Sequence, residues 1–217
     1  MPAERSAPGG ARLLVVLAWA NVAAHVAGLI VAWWALRPGS MVLPLAARMH
    51  HLAASSYAWR WGWGIWMLCA LLLVAFVAVL RRQLPGDPVA AQLALHLTAA
   101  GMAVDLLCDA LQIQALPLAA RSGPGLFLVL ERLAFFGGLT VANGLYTIGV
   151  LLLLICLRGI VGPAARFAGW ASVVSGFTLA VEGVVPSPVL PALATGATLG
   201  FYCLWTVRVA YDLRAPR

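Results

Sequence analysis

Lysine is absent from this chain. Its absence excludes a retinal-type Schiff base and every lysine nucleophile. Charge of any kind is scarce. Charged residues make up 10% of the chain and hydrophobic ones 63%, whereas a soluble domain carries about 25% charged residues. That is too little polar surface to cover a water-soluble globule. Metal-type cysteine spacing is missing too. Cys69, Cys108, Cys156 and Cys203 form no C-x-x-C pair and read as small buried hydrophobes. There is no H-E-x-x-H, G-x-S-x-G, Walker loop or C-x-x-C-H, so the chemistries those motifs carry have no support. The alternating pattern of a membrane barrel is also lacking.

Long apolar runs are what the chain has instead. A bilayer span needs about 20 mostly apolar residues. Six runs reach that length, at about 12–36, 61–82, 88–116, 126–157, 164–185 and 189–213. In lipid the backbone must satisfy its own hydrogen bonds, so these runs are predicted helices. The expected fold class is all-α: one polytopic six-helix transmembrane bundle over residues 1–217. The first run is as long as a full span, and no small-residue cleavage site follows it, which argues against a cleaved signal peptide.

The net charge of +7 rests entirely on arginine. Nucleic acid is not the expected partner, because the arginines sit at span ends rather than on one soluble face. The lipid bilayer is. With the N-terminus inside, Arg5, Arg12, Arg81, Arg82, Arg158, Arg166, Arg214 and Arg217 fall on the inner side. Arg37, Arg48, Arg60 and Arg121 fall outside. Short cytoplasmic loops are the arginine-rich ones, so both termini are expected in the cytoplasm. The uncharged "VVPSPVLP" suits an outer turn, and Asp87 before Pro88 suits a helix N-cap. Between the first two spans, "LPLAARMHHLAASSYAW" reads as an amphipathic interfacial helix. Trp59, Trp61, Trp63 and Trp66 follow as membrane anchors or, alternatively, as a stacking platform for an aromatic ligand. His50 and His51 read as polar rim.

Four acids fall within spans: Asp105, Asp109, Glu131 and Glu182. A charged Asp at a helix centre costs roughly 2.5–3.5 kcal/mol, so four facing lipid would cost about 10 kcal/mol. They are expected to face the bundle interior, lie near the interface or stay protonated. The threading places all four toward the outer side, which predicts one outer-side acidic cavity. Asp105 and Asp109 share a helix face with Thr98 and Gln112. Two carboxylates that close cannot both ionise cheaply. The stripe is suited to bind a cation, share a proton, act as an acid–base pair, or form a hydrogen-bonded seam between helices. Arg132 cannot face the adjacent Glu131 on a helix, so it is expected to reach Asp109 or Glu182. A second stripe holds Thr140, Asn143 and Thr147, with Tyr146 beside it. Gly137, Gly138 and Gly144 are expected to permit close helix approach.

His25 lies midway in the first span, one turn after Asn21. His96 lies in the third, one turn after Gln92, and points away from the Asp stripe. Each reads as a buried hydrogen-bonded histidine or a proton relay. Facing each other at one depth, the two could ligate a b-type haem, but no cofactor or metal is strongly implied. "WANVAAHVAGLIVAWWALRPG" and "TVANGLYTIGVLLLLICLRG" share an early Ala-Asn pair and a late Arg, a similarity that chains of this composition also produce by chance.

The spacing of Asp105 and Asp109, D-x-x-x-D, resembles one of the two aspartate motifs of intramembrane prenyltransferases. Those enzymes need a second such motif and more spans, and this chain has neither. The stretches "WGWGIWMLCALLLVAFVAVLRR", "ERLAFFGGLTVANGLY" and "LGFYCLWTVRVAYDL" resemble small six-span bacterial membrane proteins of unknown function. That resemblance implies the layout and no activity. Richness in Ala, Arg and Gly points to a high-GC bacterial source and an inner-membrane location. The leading expectation is binding or transport of a small solute or cation, with proton coupling. Asp105, Asp109, Glu131 and Glu182 would line the cavity, with Asn143 and Tyr146 deeper. An intramembrane enzyme acting on a lipid or isoprenoid comes second, with a carboxylic acid as general acid and His25 or His96 as base. A structural or regulatory subunit comes third.

Overall fold

The computed structural model describes residues 8–54, 57–86, 88–184 and 190–214. Asp87 and most of "VVPSPVLP" lie outside the described residues, as do Arg5 and Arg217. Among the described residues the regular structure is all helical. In chain order the helices are α1 (Gly9–Gly39), α2 (Leu45–Ala53), α3 (Tyr57–Arg81), α4 (Val89–Ser122), α5 (Pro124–Cys156), α6 (Pro163–Glu182) and α7 (Leu190–Arg214). Five of them, α1, α3, α4, α5 and α6, are long and apolar enough to cross a membrane. Their outward faces carry exposed Val16, Ile30, Trp34, Leu71, Val129, Phe167 and Val174. An apolar exterior of that kind marks an integral membrane protein.

Each long helix packs on the next in sequence, and α7 returns to α1. Short connections favour such neighbours. The result is a closed ring of α1, α3, α4, α5, α6 and α7. One end of the ring holds the start of α1 and the end of α7. There Leu14, Phe76, Leu80, Ala91, Leu153, Leu157, Trp205 and Val209 form a continuous apolar core. Asp212 also belongs to this end, where its Oδ2 accepts the Gly162 N–H at 2.8 Å and so ties α7 to the start of α6. The opposite end carries α2 and a smaller core of Leu36, Leu52, Trp59, Leu116, Ala119 and Phe127.

Three helices contain π-helical turns: Ala32–Leu36 in α1, Leu111–Ala115 in α4 and Phe136–Ala142 in α5. Two of these turns explain where the helices end. The reading from sequence stops the first and third spans at residues 36 and 116, just before Pro38 and Pro117. The structure continues both helices, to Gly39 and Ser122. Proline normally breaks a helix because it lacks an N–H and its ring clashes with a carbonyl one turn back. A widened turn immediately before the proline relieves that conflict. Gly123 then separates α4 from α5 with a φ of 143°, a left-handed conformation that glycine adopts without a side-chain clash.

Candidate functional site

Between the packed end and the end that carries α2 the ring holds a half-open cavity of about 840 Å³, bordered there by residues 39–42, the segment that leads into α2. Its polar lining comes from several helices. α4 supplies Asp105, Asp109 and Gln112, and α5 supplies Glu131, Asn143, Tyr146 and Thr147. α1 adds His25, while α7 adds Thr198 and Tyr202. Trp59, Trp63 and Trp66 of α3 form an aromatic wall. All three π-helical turns border this space, through Ala32, Gln112 and Leu139 among others. Turns of this kind recur at functional sites, because they re-aim side chains and free backbone carbonyls.

Trp59 shows that second effect. Its Nε1–H donates to the Gln112 carbonyl at 2.7 Å, within the π turn of α4. In α5 the Asn143 Nδ2 donates back to the Gly138 carbonyl at 2.9 Å, again inside a π turn. Asn143 therefore orders its own helix while presenting a face to the cavity.

The Asp pair is held in two different ways. Asp105 Oδ2 accepts a hydrogen bond from the Tyr146 hydroxyl at 3.1 Å. Asp109 is 2% exposed, and its Oδ2 has no hydrogen-bond partner among the described residues. Tyr146 reaches Asp105 because Gly101 lacks a side chain. A Cβ at Gly101 would lie 2.8 Å from Tyr146 Cε1. Gly137 plays the same role against Cys108, 2.5 Å from where its Cβ would be. Gly138 and Gly144 would meet only ordinary contacts, so of the three glycines expected to matter only Gly137 is required by close approach. In the second stripe Thr147 Oγ1 donates to the Asn143 carbonyl, and Thr140 Oγ1 bonds across to the Ala180 carbonyl on α6 at 2.8 Å.

His25 is buried, and its Nδ1 lies 2.8 Å from the Asn21 carbonyl. A carbonyl only accepts, so Nδ1 carries the proton and Nε2 is the basic nitrogen of the neutral ring. The ring leans on Tyr202 at 5.3 Å between centroids. Tyr202 in turn donates to Asn21 Oδ1 at 3.2 Å, while Asn21 Nδ2 donates to the Leu17 and Leu72 carbonyls. Asn21 therefore joins α1, α3 and α7 behind the histidine.

Glu131 overturns the expected pairing. Arg48 of α2 grips it bidentately, Nε to Oε1 at 2.7 Å and Nη2 to Oε2 at 2.9 Å. Arg48 Nη1 also donates to the Leu43 carbonyl at 2.7 Å. Arg132 is exposed on the outer face of α5 and does not line the cavity. Arg132 and Glu131 are adjacent on one helix and cannot face each other; the partner of Glu131 comes instead from the segment between α1 and α3. A signal was present: Arg48 lies one turn from Leu45 and Leu52, so it falls on the apolar face of α2.

Two further expectations are corrected. Glu182 is buried at the α2 end of α6, but it borders a shallow surface depression with Phe177 and Val181 rather than the cavity. His96 is exposed on α4, facing away from the interior that holds His25, so the two cannot share a haem. Of the four tryptophans read mainly as anchors, only Trp61 is largely exposed, at 75%. Cys69 and Cys108, read as inert, also line the cavity. No group of three or more His, Cys, Asp or Glu side chains suited to a metal exists among the described residues. No protein-family model, curated protein or solved structure matches the chain.

Proposed function

We propose that the chain is a six-span protein of a bacterial inner membrane that binds a small solute or cation in this cavity. In this reading α7 is the sixth span: at 25 residues it reaches about 37 Å. Six spans put both termini on one side, and the arginine balance makes that side cytoplasmic. α2 then lies at the outer interface as the lid of the cavity. The carrying observation is convergence. Asp105, Asp109, Tyr146, Asn143 and His25 come from three helices to one space of about 840 Å³, within the range of small-molecule sites. A scaffold has no use for a cavity lined by an unpaired buried carboxylate, which argues against the structural-subunit reading. Binding is favoured over transport because the far half of the ring is filled by Phe76, Leu80, Leu153 and Trp205.

The test is a thermal-shift screen of the purified protein against organic cations, anions and neutral solutes. Leu139→Trp, which puts an indole in place of one lining leucine and so narrows the cavity, serves as the reference. At least one class should stabilise the wild type more than the narrowed variant. Equal responses of both proteins to every solute would refute the reading.

An intramembrane enzyme acting on a lipid or isoprenoid is the second reading. It is favoured by one observation, that His25 lines the same space as the Tyr146–Asp105 pair with its Nδ1 already engaged. In that case His25→Gln would abolish turnover of a bound lipid while sparing its binding.

A further inference from the structure

Three residues that line the cavity each carry a buried side-chain polar atom with no partner among the described residues: Asp109 Oδ2, Trp63 Nε1 and Thr198 Oγ1. They come from α4, α3 and α7, so no single local distortion accounts for them. Leaving a buried donor or acceptor unpaired costs about 1–3 kcal/mol, and more when it is charged. A fold that gathers three of them around one space is arranged for a guest with its own polar groups.

The charge balance narrows the guest. Arg48 is committed to Glu131 by two hydrogen bonds. Arg37 lies at the cavity's edge, exposed, and stacks on Trp33, its guanidinium 4.3 Å from the ring centroid. Among the described residues neither aspartate has a basic partner. Asp105 keeps its Oδ1 toward Gly138, where the missing side chain leaves room. An inorganic cation does not suit this space. Such ions take about six to eight oxygen ligands, whereas much of the wall here is Leu29, Leu36, Leu73, Phe135 and tryptophan. Aromatic faces attract cations too. Trp59 and Trp63 meet edge to face, with ring centroids 5.6 Å apart.

We infer that the cavity receives an organic cation with a lipophilic, ring-containing body. Its charge sits on the Asp105–Asp109 face of α4 and its body lies against Trp59, Trp63 and Trp66. A hydroxyl, ether or carbonyl oxygen on the body would accept from Trp63 Nε1–H. This inference rests on the cavity reading above and specifies its ligand class.

Equilibrium dialysis of the purified protein in a non-ionic maltoside tests it, with tetraphenylphosphonium as the cationic probe. Triphenylphosphine oxide is the neutral probe, with an acceptor oxygen in place of the fourth phenyl ring. Leu139→Trp sets the background from detergent. The expected result is at least tenfold tighter binding of the cation, with Asp109→Asn and Asp105→Asn each shrinking that gap. Equal binding of the two probes to the wild type would overturn the cationic class and leave the cavity reading intact. No binding of either probe above the Leu139→Trp background would overturn both. Should an aspartate variant fail to fold, the comparison of the two probes on the wild type still decides.

Discussion

Replacing Arg48 by Met should unlatch the cap. Arg48 is 8% exposed and Glu131 5%, so the bridge between them is shielded from water. Removing one partner of a buried pair costs about 3–5 kcal/mol, because the other charge stays behind uncompensated. Here the cost has an outlet. α2 can lift away and let water reach Glu131, at the expense of burying Leu52 against Leu36, Trp59 and Phe127. Fully burying one leucine contributes roughly 1.5–3 kcal/mol, less than the stranded carboxylate costs. The cap-open population should therefore rise by about two orders of magnitude, at about 1.4 kcal/mol per tenfold. Cys69 and Cys108 line the cavity and Cys156 and Cys203 do not, so the four thiols report position. The assay is modification by a small maleimide, resolved by mass spectrometry. In Arg48→Met the first two thiols should label about a hundredfold faster, with the other two unchanged. Arg48→Met combined with Glu131→Leu should return toward wild-type rates, since an apolar pair of similar size is tolerated. Unchanged rates at Cys69 and Cys108 in the single variant would refute the idea that this bridge holds the cap.

Three other substitutions probe the frame around the site, each read by thermal unfolding in detergent. Gly101→Ala should destabilise by about 1–3 kcal/mol, because its Cβ meets the Tyr146 ring. Gly64→Ala, with nothing near its Cβ, should be neutral or stabilising by up to about 1 kcal/mol; an equal response at the two positions would remove the packing argument. Asn21→Ala removes the added bond to the Leu72 carbonyl, strands the Tyr202 hydroxyl and should cost about 1–3 kcal/mol. Asn21→Asp should not rescue it, because a carboxylate cannot donate to the carbonyl. Trp59→Phe keeps the ring but leaves the Gln112 carbonyl without its indole donor. It too should cost about 1–3 kcal/mol, with faster hydrogen exchange confined to the π turn of α4.

Position along each helix was legible in the sequence, and rotation about its axis was not. Apolar run lengths and arginine positions place Asp105, Asp109, Glu131 and Glu182 toward one end of their helices. They cannot say which neighbour a helix turns its face to. Hence three of these acids share the cavity while Glu182, at the expected end of its helix, faces elsewhere. The π turn between Glu131 and Asn143 adds to the difficulty, because a regular helical period carried across it points to the wrong face. His96 shows the same limit: its offset from the Asp105 face was legible, but the expectation that it is buried was not met, and it is exposed. Arg48 lies in a segment that reads as an amphipathic interfacial helix, so its apolar face is expected against lipid rather than against Glu131. Its buried face emerges only once Leu45, Arg48 and Leu52 are set on one helix. The tryptophans after that segment suit two roles by composition, and packing of α3 inside the ring assigns Trp59, Trp63 and Trp66 to the cavity wall.

The claim on which the account turns is that the space beside Asp105 and Asp109 receives a guest. Maleimide labelling of the wild type with and without saturating tetraphenylphosphonium tests it at the site itself. The account predicts that the cation slows modification of Cys108 and Cys69 and leaves Cys156 and Cys203 unaffected. Equal labelling of Cys108 with and without the cation, or protection confined to Cys156 or Cys203, would contradict it.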